Sequence, residues 1–215
     1  RFELANVYNK QGKFDLVVDE YLNALVEDES QITKVKTELL NIFIADESGT
    51  EQTFFEEAVV AKIQTNPQRD IYPELLIWHF EQQKDFRKAF AQAKALDRRN
   101  REDGARIMQL AHISRANEAY DLAIEAYRFV LKKGRDNYYY LSCKKDLVNT
   151  LYEKAVAGGA YTDDELVELE KTFLETLDEF GRNGNVAQMM MNLAELYTFY
   201  LHRTNDGINL LYEVL

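Results

Sequence analysis

The chain has 215 residues, a formal net charge of -11 and 46% hydrophobic side chains. That apolar content can bury a sizeable core, but nine Gly and two Pro are too few for the many tight turns of an all-β fold. The acidic balance disfavours nonspecific binding to nucleic acid or anionic membranes. No apolar run approaches the ~20 residues that span a bilayer, no secretory signal is visible, and the lone Cys143 closes no internal disulfide.

In chain order, Leu4, Ala5 and Tyr8 share one helical face. Gly12 marks a turn, and Phe14, Val17, Val18, Tyr21, Ala24 and Leu25 form a returning face, so residues 1–28 read as a helical hairpin. Residues 31–66 hold a degenerate version. Val35, Leu39, Ile42 and Phe43 predict one helix, Phe54, Phe55, Ala58, Val59 and Ile63 its partner, with Ser48 and Gly49 between them. Pro67 follows, where a residue that cannot continue a helix belongs. Residues 71–97 pair Leu76, Ile77 and Phe80 with Phe86, Ala89, Phe90, Ala93 and Leu96. Residues 105–132 repeat that frame with Leu110, Ala111 and Ser114, then Tyr120, Ala123, Ile124, Tyr127 and Val130. The offset between the two is about 34 residues, and small residues recur where paired helices come closest.

Residues 137–180 depart from this frame as an elongated hairpin. Tyr138, Leu141, Leu147, Val148, Leu151 and Tyr152 predict a long helix ending near Gly158 and Gly159. Thr162 followed by Glu165 reads as a capping box. Leu166, Leu169, Phe173, Leu177 and Phe180 then keep the helical period up to a stop at Gly181. Residues 186–215 return to the shorter frame with Leu193, Ala194 and Tyr197, then Ile208, Leu211 and Val214. Gly207 takes the small-residue position, with one extra residue expected in the turn.

The run Leu-Ala-x-x-Tyr-x-x-x-Gly-x-Phe-x-x-Val-Val-x-x-Tyr-x-x-Ala-Leu over residues 4–25 resembles the tetratricopeptide repeat (TPR) consensus nearly position for position. Val17 departs from it, because the family usually carries Ala there. Over most of the chain, ELLIWHFEQQKDFRKAFAQAKALDRRN and YTDDELVELEKTFLETLDEFGRN look like a group of bacterial TPR proteins of unknown specific role. The resemblance implies an all-α fold, a right-handed superhelical array of about six antiparallel hairpins forming one TPR-like α-solenoid over 1–215. It also implies placement in the bacterial envelope, since such proteins are often exported.

Chemistry is scarce. His79, His112 and His202 are far apart, with no H-x-x-x-H and no C-x-x-C, so no metal or other cofactor is expected. Cys143 lies in SCKKDLVNTLY without a nearby His, no Ser sits in a G-x-S-x-G elbow, and Gly181-Arg182-Asn183-Gly184 is a turn, not a phosphate loop. The chain therefore reads as non-catalytic.

Surface remains. In a stacked hairpin array the first helices line the concave face. Residues about 120° round from each packed face are Phe2, Asn6 and Asn9; Glu74, Trp78 and Glu81; Met108, His112 and Arg115; and Met191, Glu195 and Thr198. Residues 31–45 and 137–156 give no secure register. Trp78, the single Trp, is the foremost candidate anchor; its alternative is packing between adjacent first helices. His112 either contacts a carboxylate or is a plain polar-face residue. Asn6 stands where carboxylate-clamp TPRs carry Asn, but Phe2 replaces the expected Lys and neither Ala105 nor Gln109 is basic, which argues against a C-terminal carboxylate ligand.

Arg98, Arg99 and Arg101 favour a helix C-terminus or offer an anion site. The acidic stretch from Asp163 to Glu179 is a solvated face or a dock for a basic partner. The expected function is a scaffold binding a protein or peptide in the groove. The alternative is a structural or oligomerisation module of a larger, exported bacterial protein, with the oligomeric state left open.

Overall fold

In a computed structural model of the chain, residues 1–158 and 161–214 are described, and they are all-α. Twelve α-helices follow one another: α1 (Phe2–Lys10), α2 (Phe14–Glu27), α3 (Ile32–Ala45), α4 (Thr50–Thr65), α5 (Ile71–Gln82), α6 (Phe86–Asn100), α7 (Ala105–Ala116), α8 (Tyr120–Leu131), α9 (Tyr140–Gly158), α10 (Asp163–Phe180), α11 (Ala187–Glu195) and α12 (Thr204–Val214). They pack as two compact units, Arg1–Leu96 and Asp97–Leu215, and the division falls within α6. The expected stop at Gly159 and the side chain of Val214 lie outside the described residues.

In the first unit α1 packs on α2, α3 on α4, and α4 on α5. Ala5, Val17, Leu22, Leu39, Phe55, Val59 and Leu75 are fully buried. In the second unit α7 packs on α8, α8 on α9, α9 on α10, and α11 on α12. Phe173 of α10 and Leu193 of α11 belong to an apolar cluster that includes Val148, Leu166, Met190 and Tyr197. The Thr162–Glu165 capping box forms, with the Thr162 hydroxyl accepting from the Glu165 amide at 3.2 Å and the Glu165 carboxylate accepting from the Thr162 amide at 2.9 Å. Gly181 ends α10 at φ +75°.

Four hairpin turns are built alike. One residue takes the left-handed region, Gly12, Lys84, Glu118 or His202 (φ +69°, +56°, +61° and +54°). The next amide bonds back to a carbonyl near the end of the first helix: Lys13 to Tyr8, Asp85 to Phe80, Ala119 to Ser114 and Arg203 to Tyr197. In the last case the return is one residue longer. The extra residue expected in that turn lies instead inside the helix, where Leu196–Tyr200 form a π-helical turn closed by Leu201 N to Leu196 O at 2.9 Å. This keeps Gly207 in register against α11. A Cβ at Gly207 would collide with the Thr198 hydroxyl and lie 2.8 Å from the Ala194 carbonyl oxygen.

Other expectations need correction. Ile208 and Leu211, expected in the core, are 45% and 43% exposed, and Leu210 is the buried residue. Their counterparts on α8, Ile124 and Tyr127, are buried, with α9 packed on that helix. Among the described residues no helix follows α12. Leu4 of α1 is exposed likewise, and among the described residues no helix precedes α1. Phe54 and Leu141 are also exposed, and the α9 helix starts at Tyr140 with Tyr138 projecting into solvent.

Candidate partner-binding surfaces

The first unit carries an open groove of about 980 Å³. α1 contributes Phe2, Glu3, Asn6 and Asn9 from one face, since residues three and four apart share a helical face. α3 contributes Lys34, Glu38 and Asn41, and Tyr21 of α2 and Ile42 add apolar wall. The α3–α4 turn closes one end. There the Asp46 carboxylate accepts from the amides of Glu51 and Gln52 at 2.8 and 3.1 Å and from the Ser48 hydroxyl at 2.8 Å. Burial alone would raise Asp46, but these donors outweigh it and hold the carboxyl below its ordinary range. Burial pushes Glu51 the other way, and neighbouring Asp46 adds to it. Tyr21 is pushed up to about 12, chiefly by burial and secondly by Glu38.

Of the sequence-derived candidates in this unit, Asn6 and Asn9 line the groove. Glu74, Trp78 and Glu81 share one face of α5 and are each half-buried. The Trp78 ring stacks on Phe43 of α3 at 6.4 Å, with the Lys36 ammonium 5.9 Å from its centre. The anchor candidate therefore has one side against a neighbouring first helix. Beside it His79 is fully buried, ringed by Phe43, Phe55 and Phe80 at 5.3, 5.0 and 5.7 Å. Burial, with a smaller push from Lys88, lowers its pKa to about 4. The Gln83 amide lies 3.1 Å from His79 Nε2 and donates to Gln52 at 3.1 Å, while His79 Nδ1 is buried without a partner.

The second unit presents a different surface, a ladder of side chains across α7, α9 and α11. His112 Nε2 lies 2.8 Å from Asp146. Arg115 makes a bidentate pair with Glu153 at 2.7 and 2.5 Å and lies 3.8 Å from Asp146. Hydrogen bonding to Glu153 is the main reason that the guanidinium pKa is raised further, against the effect of burial. Further along, Asn192 donates to Asn149 at 2.9 Å, Gln188 donates to Asn192 at 2.9 Å, and the Tyr152 hydroxyl donates to Glu195 at 2.7 Å. Burial first, and Glu195 second, push the Tyr152 phenol up.

His112, Arg115 and Glu195 thus fall on this ladder. Met108, expected on the same face, is buried, and Met191 and Thr198 are exposed and half-buried. Sequence reasoning missed Lys34, Glu38 and Asn41 on α3 and Asp146, Asn149 and Glu153 on α9. In both helices the polar residues recur at three- and four-residue steps beside an apolar stripe, and that spacing was the available signal.

The charge runs are largely engaged. Asp97, fully buried, accepts from Lys133 at 2.6 Å, and Lys133 also donates to the Glu102 carbonyl at 2.7 Å. Arg98 stacks on Phe129 at 5.6 Å. On α10, Glu179 accepts from Lys144, from Arg135 at 3.1 Å and from the Tyr140 hydroxyl at 3.0 Å, and Glu170 pairs with Arg203 at 2.7 Å. Cys143 is buried, and its thiol is pushed up to about 12 by burial and then by Asp146. Among the described residues no group of three or more His, Cys, Asp or Glu side chains is placed to hold a metal ion, and no helix is long and apolar enough to cross a membrane.

No family model matches the sequence, and no curated protein matches it. The solved structure of a tetratricopeptide repeat protein from Parabacteroides merdae is similar to this chain, with a TM-score of 0.38 and 12% identity over 99% of this chain and 77% of that one.

Proposed function

We propose that the chain is a non-catalytic scaffold of helical hairpins that holds a protein or peptide partner against its first helices. The observation that carries this reading is the first unit's groove of about 980 Å³, where Asn6, Asn9 and Asn41 stand exposed along two first helices. The single thiol fits that reading: Cys143 is buried and pushed up to about 12, which makes it a poor nucleophile near neutral pH.

A phage-displayed library of random peptides, selected on the full chain, tests the reading. Selected ligands are expected to lose about tenfold or more in affinity to an Asn6→Ala/Asn9→Ala/Asn41→Ala variant of unchanged helicity. Ligands indifferent to that variant, or no ligand at all, would overturn it.

A second reading, an oligomerisation module, is favoured by exposed Ile208, Leu211 and Tyr212 on α12. Light scattering on the full chain decides it. A multimer that Ile208→Glu/Leu211→Glu converts to monomer supports the module, and a wild-type monomer at high concentration removes it.

A further inference from the structure

The groove of the first unit is strongly unbalanced in charge. Glu3, Glu38, Asp46, Glu47 and Glu51 line it against a single ammonium, Lys34. Asp46 is committed to the first turn of α4. None of the other four takes part in an ion pair of this unit among the described residues. A concave wall of one sign focuses the field into the space it encloses. Apolar surface lies between the carboxylates: Phe2 and Tyr21 form a tilted ring pair at 5.6 Å. A cation already rests on Phe2: the Lys34 ammonium lies 4.0 Å from that ring's centre. The ring face thus has the geometry for an ammonium or guanidinium.

From this we infer that the groove receives a segment of a partner protein rich in lysine and arginine, with one cationic head replacing Lys34 on Phe2 and others meeting Glu3, Glu38 and Glu47. The inference rests on the scaffold reading above and adds the chemistry of the partner. A polypeptide suits the groove better than a small polycation, because aliphatic stems can lie along Phe2, Tyr21 and Ile42 while the heads reach the carboxylates. Nucleic acid is the wrong sign.

Fluorescence anisotropy of the full chain with a short labelled peptide of alternating lysine and serine is the test. Its glutamate–serine counterpart and spermine serve as competitors. The lysine peptide is expected to bind saturably and the glutamate peptide not to compete. Glu3→Gln/Glu38→Gln/Glu47→Gln should weaken binding about tenfold or more at moderate salt. Asp164→Asn/Glu175→Gln/Asp178→Asn removes the same charge from the exposed face of α10 and should change affinity less than about twofold. Lys34→Ala should tighten binding several-fold by removing the internal competitor, an effect that a merely structural role for Lys34 would not produce.

Equal losses in the two triple variants would reduce the effect to bulk charge and overturn the inference, as would displacement by spermine at concentrations matching the peptide's own affinity. Absence of binding overturns it too. The library selection separates its failure from that of the scaffold reading: groove-dependent ligands without basic residues sink this inference and leave the scaffold intact.

Discussion

The first helices of the two units carry similar side chains to different ends. Across α7, α9 and α11 the acidic groups are answered from within: Asp146 by His112 and Arg115, Glu153 by Arg115, Glu195 by the Tyr152 hydroxyl. Across α1, α3 and the turn after α3, Glu3, Glu38 and Glu47 meet no internal base among the described residues, and the one ammonium between them rests on an aromatic ring. A surface whose charges are paired among themselves ties its helices together and offers little to a guest, because a ligand must first displace those partners. A surface left unpaired costs some self-repulsion and keeps its binding capacity. Composition alone does not distinguish a stitch from a site; pairing does.

The largest test of this contrast uses acid. The first unit buries a neutral His79, whose pKa is lowered to about 4 from the ordinary 6.5. Above pH 6.5 the ring is neutral both folded and unfolded, so it contributes no pH dependence. Between pH 6.5 and about 4 the unfolded chain takes up a proton that the folded ring refuses, and stability falls as the pH falls. The loss approaches roughly 3 kcal/mol at the lower end. Denaturant melts at pH 7 and pH 4.5 are expected to show this loss in the wild type and to show it much reduced in His79→Leu. Equal acid sensitivity in the two proteins would mean that carboxylates, not the imidazole, set the acid limit.

A smaller effect separates stitch from site directly. Arg115→Ala removes the bidentate partner of Glu153 and leaves a partly buried carboxylate unpaired, with an expected cost of about 1–2 kcal/mol. Arg115→Lys keeps the charge but loses the fork and should fall between. In the first unit, Glu38→Gln removes a carboxylate that no base answers and should change stability by less than about 0.5 kcal/mol. Urea melts of the three variants check the ranking. If Glu38→Gln costs as much as Arg115→Ala, the acidic groove is part of the framework.

Much of the hairpin pattern is legible in the amino-acid sequence, because the apolar residues that define it are local and periodic. Leu110, Ala111 and Ser114 against Ala123 and Tyr127 announce a close helix pair without knowledge of the neighbours. Legibility failed where a residue's fate depends on the next element. Ile208 and Leu211 repeat the pattern of Ile124 and Tyr127, yet α9 packs on α8 and no described helix follows α12. The same limit hid the ladder partners of His112 and Arg115, for Asp146 and Glu153 lie on the helix where the short frame lapses. The groove residues of α3 were lost with the register of a degenerate repeat, although Lys34, Glu38 and Asn41 step along one face. Trp78 is instructive in another way. The sequence offered groove anchor and helix packing as exclusive, and the ring stacks on Phe43, with the Lys36 ammonium 5.9 Å from its centre, yet stays only half-buried.

The smallest effects lie in the turns that present these surfaces. All four turns of the shared design need one residue in the left-handed region, but only the first uses glycine. A Cβ at Gly12 would touch nothing within 4 Å, so Gly12→Ala isolates the backbone term and should destabilise by about 1 kcal/mol. In the second unit Glu118 holds the same conformation with a side chain, and Glu118→Gly should stabilise by about 0.5–1 kcal/mol less the entropy glycine adds to the unfolded chain. Opposite signs for two substitutions at matching places, read from thermal melts at one pH, would establish that the turns are one device repeated. Matching signs would mean that the Glu118 side chain supports its turn in a way the backbone alone does not explain, and the two units would then differ in their hinges as well as in their faces.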